Sequence, residues 1–589
     1  MADNLQLIPV PQQVETGGGH YELPDDLSIQ AKTGSPLYAT ASKELQAVWT
    51  PDGGCIRFRS SDDAPPLGLN DFVQAAEGYA LVIAAEGIDI WACDPAGHFY
   101  GAMTLKQLIR QFGKRLPLLR IGDAPALRHR GVQIPLAQGL TEYRSAYFKH
   151  LVPILAGWKM NALYLYLESY FDFPSVPHLG GPGAMTAEDA RELDALCKSY
   201  NIRLIPSLNV LGHCGDILAL QKYHHLIECG PDKDFRTAST YTLCASSPEV
   251  RALVDAMLTD TMDCFSSEII CIGGDEVSNL GECPACRANV EEKGKLGHYA
   301  DYFSRIKKTL NQRGRKAGLW GDMLIKHYGP SSDEERQYAI DALAEGTIIY
   351  DWHYRGGSPH TLRMFRDAGF ETIACGSTNL VYSSSVDCDQ HRKLTALYRD
   401  AITYGALGGV TTAWCNMYGL HEEQVNVLTS VSGCLLWSGT ENDRKPISFA
   451  EDFERAYSLQ RYGFATNALV EYWHALGDRE GPVLKPLTPL NGVDIRKCLY
   501  HTDNVLMMWK CYSPILTNHN LANYEEGVRF ARSLWNRVEE AISGCRDPYI
   551  SLQSAPLLMH EHLLRRFKMT EAVYGYYDAA ARIQYENRR

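Results

Sequence analysis

Ser266–Ser278 reads SSEIICIGGDEVS. The apolar run Ile269–Ile272 has the length and composition of a short strand buried on both faces. Gly273 and Gly274 end it, and Asp275 and Glu276 stand at its carboxyl end. Runs of the same kind recur on both sides. Upstream they are Val132–Leu136, Ala162–Leu167 and Arg203–Asn209. Downstream they are Ala317–Trp320, Ile348–Asp351, Thr372–Ala374 and Gly409–Trp414. Helix-like sequence separates them. Thr186 followed by Glu188 and Asp189 is a capping signal ahead of Ala190, Leu193 and Leu196. Ser247 with Pro248 caps a stripe of Val250, Val254, Met257 and Leu258. Strands alternating with helices make a parallel sheet with crossovers, and eight such units suit a closed (β/α)8 barrel better than an open sheet.

The flanks read differently. Residues 1 to about 127 look like a small α+β domain: strand-like Tyr79–Ala84 and Ile88–Trp91 lead into a helical stretch, Gly101–Phe112, and Gly122–Pro125 reads as a linker. After about residue 440 the strand signal fades. Phe449–Tyr462, Asn467–Leu476 and Tyr524–Ser543 read as amphipathic helices. The expected order is therefore an α/β chain with an N-terminal α+β domain (1–127), a barrel (128–440) and a helical C-terminal region (441–589). That last region is expected to pack on the barrel or on a partner subunit, so a homodimer is among the expectations.

Composition removes several classes of partner. The net charge is −13, and no lysine- or arginine-rich block supplies the positive footprint that nucleic acid needs. No apolar run approaches the ~20 residues that span a bilayer. The opening MADNLQLIPVPQQVE has no positive segment before an apolar one, as a secretory signal would. A cytoplasmic protein is expected, and its 17 cysteines are then mostly small buried hydrophobes. Cys283–Pro–Ala–Cys286 is a lone CxxC. Without a second pair it reads as a loop with two reduced thiols, since Cys271 and His298 could join it only through folding. No metal is expected, and no phosphate-binding or dinucleotide fingerprint implies a cofactor.

The chemistry centres on Asp275 and Glu276. The catalytic residues of barrels lie at the carboxyl ends of the strands. Two adjacent carboxylates repel when both are charged, which favours keeping one of them protonated as a general acid. The tetrad GGDE also resembles the signature of diguanylate cyclases, which lies on a hairpin and binds a guanine nucleotide. Here it ends one strand of a regular βα series, and that reading is set aside. Retaining glycosidases with an enzyme nucleophile hold two carboxylates ~5 Å apart, usually from different strands. Neighbours in sequence suit another division of labour. One protonates the leaving oxygen, and the other orients a 2-acetamido group of the substrate whose own oxygen attacks C1.

At this point the sequence resembles glycoside hydrolase family 20, the β-N-acetylhexosaminidases, over roughly residues 5–440. LIPVPQQVE, EGYALVI and GAMTLKQLI resemble the family's small domain ahead of the barrel. HRGVQIPL resembles its first barrel strand, which implies a sugar-binding role for Arg130. LYLYLESY implies a carboxylate at Glu168, and IPSLNVLGHC a histidine at His213. The family often has Asp four residues before that His; this chain has Asn209. GLWGDM, IIYDWHY and TTAWCNMYG resemble the ends of the fifth, sixth and eighth strands. They imply Trp320, Trp352 and Trp414 as aromatic walls, with Asp322 and Asn416 as polar contacts. A Tyr hydroxyl for the acetamido oxygen falls on Tyr354 or Tyr382, because GSTNLVYS replaces the usual Tyr-x-Asp pattern after the seventh strand. These departures mark a divergent branch. The resemblance implies an exo-acting β-N-acetylhexosaminidase that removes terminal GlcNAc or GalNAc with retention, through an oxazolinium and with no cofactor. Its partner is a glycan ending in a 2-acetamido sugar. The alternatives are a catalytically silent sugar-binding barrel and a barrel glycosidase for a non-acetylated or modified sugar.

Overall fold

A computed structural model describes residues 5–31, 34–50, 52–136, 145–167, 170–177, 179–181, 183–228, 242–277, 279–325, 332–357, 359–378, 390–414, 426–440, 451–464, 467–477, 481–483, 485–486 and 520–543, with scattered residues from 545 to 579. The chain divides into two compact units. The first is Met1–Ser377 with Arg392–Ala413 and Thr429–Pro446; the second is Thr378–His391, Trp414–Leu428 and Ile447–Arg589.

Within the first unit, seven N-terminal strands form one sheet. They are β1 (Gln13–Glu22), β2 (Ser28–Gln30), β3 (Val48–Thr50), β4 (Ile56–Ser60), β5 (Tyr79–Ala84), β6 (Gly87–Ala92) and β7 (Arg115–Asp123), in the order β1-β7-β5-β6-β4-β2-β3. The helix Pro95–Phe112 packs on this sheet, started by Asp94, whose carboxylate accepts from Gly97 N–H at 2.7 Å.

Eight parallel strands then close a barrel. They are β8 (His129–Pro135), β9 (Ala162–Tyr166), β10 (Arg203–Ser207), β11 (Ile269–Cys271), β12 (Lys316–Trp320), β13 (Thr347–Trp352), β14 (Glu371–Ser377) and β15 (Gly408–Thr412), with β15 paired to β8. Every residue of β8, β9, β11 and β15 is buried, because one face fills the barrel and the other lies under helices. Tyr164, Ile205, Cys271, Trp320, Tyr350, Cys375 and Val410 belong to the core cluster drawn from the strands. Its phenols are satisfied locally: Tyr164 OH lies 3.0 Å from Tyr350 OH and 2.8 Å from His129 Nε2. The two expected helix starts are present. Thr186 and Asp189 form a reciprocal capping box, and Ser247 Oγ accepts from Val250 N–H.

Gly122–Pro125 is not a free linker. Gly122 and Asp123 lie in β7, and Asp123 is fully buried. Its Oδ2 takes Lys159 Nζ at 2.5 Å and the Tyr79 hydroxyl at 3.0 Å. Lys159 is 1% exposed and lies over the Trp437 ring, 4.5 Å from its centroid. Burial pulls the Lys159 pKa below the usual lysine range, and Asp123 opposes that pull. Arg130 belongs to the same polar joint. Its guanidinium pairs with Glu77 at 2.8 Å, donates to the carbonyls of Leu127 and Lys159, and lies 4.9 Å from the Trp437 centroid.

The second unit is described mainly through its helices, Glu451–Tyr462, Asn467–Gly477 and Asn520–Ala541. Tyr472 packs on Trp535 at 5.1 Å and Tyr457 on Trp473 at 5.7 Å. Among the described residues no helix is long and apolar enough to cross a membrane.

Lys159→Met leaves the Asp123 carboxylate buried without its cation. A loss of about 3–5 kcal/mol is expected, read as a fall in the thermal unfolding midpoint. The double replacement with Asp123→Asn should recover part of it, since no unpaired charge remains.

Candidate active site

The turn after β11 is built by two glycines with left-handed φ, +67° at Gly273 and +93° at Gly274. A Cβ on Gly273 would stand 2.6 Å from Asn209 Oδ1. One on Gly274 would stand 2.6 Å from both Leu319 Cδ1 and the Tyr299 hydroxyl. The Tyr299 hydroxyl donates to Gly274 O at 2.8 Å, and Trp320 N–H donates to Gly273 O at 3.1 Å. The backbone is thus drawn down against its neighbours, and the next two side chains are delivered at the carboxyl end of the barrel.

Glu276 itself has φ +49°, a conformation that a non-glycine residue holds only under restraint. Its N–H donates to Asp322 Oδ2 at 3.0 Å, and Val277 N–H lies 3.3 Å from Met323 Sδ. His213 is left-handed too, at φ +52°. Its Nε2 is 3.4 Å from Asp275 Oδ2 and 3.4 Å from Glu276 Oε2. The repulsion expected between adjacent carboxylates is therefore met by an imidazole. Burial alone would lower the pKa of that ring, but Asp275 and then Glu276 outweigh it and raise it well above the usual value. Both carboxylates thus favour the charged form of the ring.

The Asp275 side chain is 23% exposed and that of Glu276 45%. Asp275 Oδ1 is itself buried and has no hydrogen-bond partner, an acceptor left open in a polar cluster. Asn209, where an Asp was the expected pattern, braces the loop. Its Nδ2 donates to the Tyr166 hydroxyl at 2.5 Å and to His213 O at 3.4 Å.

The other candidates fall in different places. Asp322 is 3% exposed and bridges two elements: Oδ2 holds the Glu276 amide, and Oδ1 accepts from Trp352 Nε1 at 3.3 Å. Trp352 is half-buried, and its ring lies 5.2 Å from that of Tyr354 at 36°. Asp351, beside Trp352, is committed to Thr361 at 2.6 Å and His353 at 2.9 Å.

Trp320, the last residue of β12, is 3% exposed and packs on Tyr350 at 5.4 Å. One expectation needs correction. Arg130 is fully buried near the start of β8, at the end of the barrel opposite the carboxylates, where Glu77 and backbone carbonyls occupy its donors. A sugar at the mouth cannot meet it. Trp414 belongs to the second unit and is half-buried. Glu168, Tyr382 and Asn416 lie outside the described residues. Sequence reasoning missed the supports Tyr166, Tyr299 and Met323. Tyr299 is 25 residues from the carbonyl it holds, and no local pattern links them.

The model of the glycosyl hydrolase family 20 catalytic domain matches residues 128–449, and that of the family's domain 2 matches residues 4–124. A beta-hexosaminidase of Akkermansia muciniphila is 24% identical over 359 residues, covering 55% of this chain and 66% of the relative. One of Vibrio furnissii is 25% identical over 396 residues, covering 60% of each. The chain thus spans about two-thirds or less of the length of these curated relatives. Solved structures share the fold. A β-N-acetylhexosaminidase of Bacteroides fragilis superposes with a TM-score of 0.62 at 19% identity, over 78% of this chain and 96% of its own. A chitobiase of Flavobacterium johnsoniae gives 0.62 at 16% identity, over 97% and 92%.

The raised pKa of His213 has a sign in stability. A group whose pKa rises on folding stabilises fully below its unfolded value, and that gain is lost as pH climbs through the folded value. The thermal midpoint of the wild type should therefore exceed that of His213→Gln most between about pH 5 and 6.5, and the gap should close toward alkaline pH. A gap independent of pH would show that the ring does not act as a cation.

Proposed function

The chain belongs to glycosyl hydrolase family 20, and from that premise we propose that it is an exo-acting β-N-acetylhexosaminidase working by substrate assistance. The observation that carries this reading is the Asp275–Glu276 pair, in which Asp275 keeps one buried oxygen without a partner while His213 holds the other. An acetamido N–H is a donor that suits such an acceptor. A plain hydroxyl at C2 would leave the carboxylate with no role in forming a nucleophile.

The steps follow from the roles of the two acids. Asp275 Oδ1 accepts the acetamido N–H and turns the acetamido oxygen toward C1. That oxygen forms a bond to C1 as the glycosidic C–O bond breaks. Glu276 gives its proton to the leaving oxygen. The positive charge that develops on the oxazolinium is stabilised by Asp275. Water then attacks C1 and gives a proton back to Glu276, and the ring reopens with overall retention. His213 stays between the carboxylates, and its positive charge limits their repulsion. The Trp352–Tyr354 pair supplies an aromatic face for the sugar, with the Tyr354 hydroxyl a candidate donor to the acetamido oxygen; Tyr382 is the other. Glu168, Trp414 and Asn416 are proposed as further sugar-binding residues. Substrates are glycans ending in GlcNAc or GalNAc.

A panel of p-nitrophenyl β-glycosides tests the reading. Turnover is expected on the GlcNAc or GalNAc glycosides and not on glucose, galactose or glucosamine. Hydrolysis of plain glucosides with none of the acetamido sugars overturns it. Glu276→Gln should lower kcat by about 10²–10⁴-fold with little change in sugar binding. A thiazoline mimic of the oxazolinium should bind the wild type far more tightly than the free sugar, and Asp275→Asn should abolish that preference.

A further inference from the structure

Cys283–Pro–Ala–Cys286 offers two thiols, and the fold brings up two further ligands that its sequence neighbourhood does not contain. Ile227 and Leu243 form an antiparallel bridge. On either side of it Glu228 N–H donates to Thr242 O at 2.9 Å, and Cys244 N–H donates to Leu226 O at 2.8 Å. This ribbon sets Glu228 and Cys244 against the start of the helix Pro284–Gln312, which Cys283 caps. Glu228 is fully buried. Its Oε1 accepts from Gly281 N–H at 3.0 Å and Cys283 N–H at 3.3 Å, while Oε2 accepts from the Cys286 thiol at 3.1 Å.

The sulfur spacings decide between the readings of this cluster. Cys244 Sγ lies 3.5 Å from Cys283 Sγ and 3.7 Å from Cys286 Sγ. One ligand atom from each of Glu228, Cys244, Cys283 and Cys286 lies within 4.8 Å of all the others. With Zn–S bonds of ~2.3 Å, two sulfurs of a tetrahedron stand about 3.8 Å apart, whereas a disulfide would need about 2.05 Å. The observed separations are close to the edge of a thiolate tetrahedron. The surroundings suit bound thiolates as well. Cys286 N–H donates to Cys283 Sγ at 3.3 Å, and Ser246 Oγ, itself held by Asn289, lies 3.1 Å from Cys286 Sγ. Cys286 also interacts with the buried His298, whose Nε2 has no other partner.

We propose that Glu228, Cys244, Cys283 and Cys286 form a structural Zn2+ site. Three soft thiolates and one carboxylate fill all four positions of a tetrahedron, and such a closed set is structural, not catalytic. Its place in the fold gives the ion a task. Leu243 N–H donates to Leu211 O at 2.9 Å, close before His213. On the other arm, Cys283 follows soon after Asp275 and Glu276 in the chain. One ion therefore ties the loop that carries His213 to the segment that carries the two acids, and the four ligands are positioning residues.

The test is elemental analysis of the full chain, purified without chelator or added metal. One zinc per chain is expected, and a thiol-blocking mercurial should release it to a chromogenic chelator. Cys283→Ser with Cys286→Ser should bring the zinc content to near zero. If that variant does not fold, the wild type produced in cobalt medium should show the intense thiolate-to-cobalt absorption of a tetrahedral site. Folded wild type that holds no metal, with these thiols freely alkylated or with Cys283 joined to Cys286 in a disulfide, overturns the proposal. A different metal at one per chain overturns the choice of zinc. None of these readouts depends on sugar hydrolysis, so failure here is distinct from failure of the hydrolase reading.

Discussion

A ring of parallel strands has no edge, and that one constraint orders the rest of the first unit. To close, each strand must be buried on the inner face by other side chains and on the outer face by helices, which explains β8, β9, β11 and β15 with no exposed residue. Parallel direction also sorts the chain into two ends. Every strand start faces one way and every strand finish the other. The first end meets the N-terminal sheet through Asp123, Lys159, Glu77 and Arg130; the second carries His213, Asp275 and Glu276.

Backbone strain follows the same division. Among the described residues, the non-glycine positions with left-handed φ are Gln46, Ala64, Glu77, Lys159, Asn201, His213 and Glu276. Glu77, Lys159 and Asn201 belong to the joint at the base, where Asn201 Nδ2 donates to Glu77 Oε1 at 3.0 Å. His213 and Glu276 belong to the mouth. Such backbones persist only where surrounding bonds fix them. At the base those bonds are the ion pairs of Glu77 with Arg130 and of Lys159 with Asp123, and the hydrogen bonds of Asn201. At the mouth they are hydrogen bonds to Asp322 and from Asn209, with the contacts of His213 to Asp275 and Glu276.

How far the sequence could be read depended on the distance over which each feature is decided. The carboxylate pair, the two glycines and the capping box at Thr186 are settled within a few residues, and they were legible. The strands were found with ragged ends: the apolar run to Asn209 overshoots β10, which stops at Ser207, and Asn209 instead donates to the Tyr166 hydroxyl. Arg130 was misread because residue type was weighed above position. A residue at the start of a strand belongs to the end away from the acids, and strand direction alone could have shown that. Glu228 and Cys244 had no local signal at all, since only the bridge between Ile227 and Leu243 sets them beside Cys283.

Asp322 holds the amide of Glu276 with one oxygen and the indole of Trp352 with the other. The aromatic wall and the acid therefore lean on a single carboxylate. On the roles proposed for these residues, reshaping the wall at Trp352 is coupled to the aim of the acid Glu276. On those roles, replacing the indole removes one of the bonds on the group that sets the acid's backbone, so breadth of substrate and speed of turnover are coupled through one side chain.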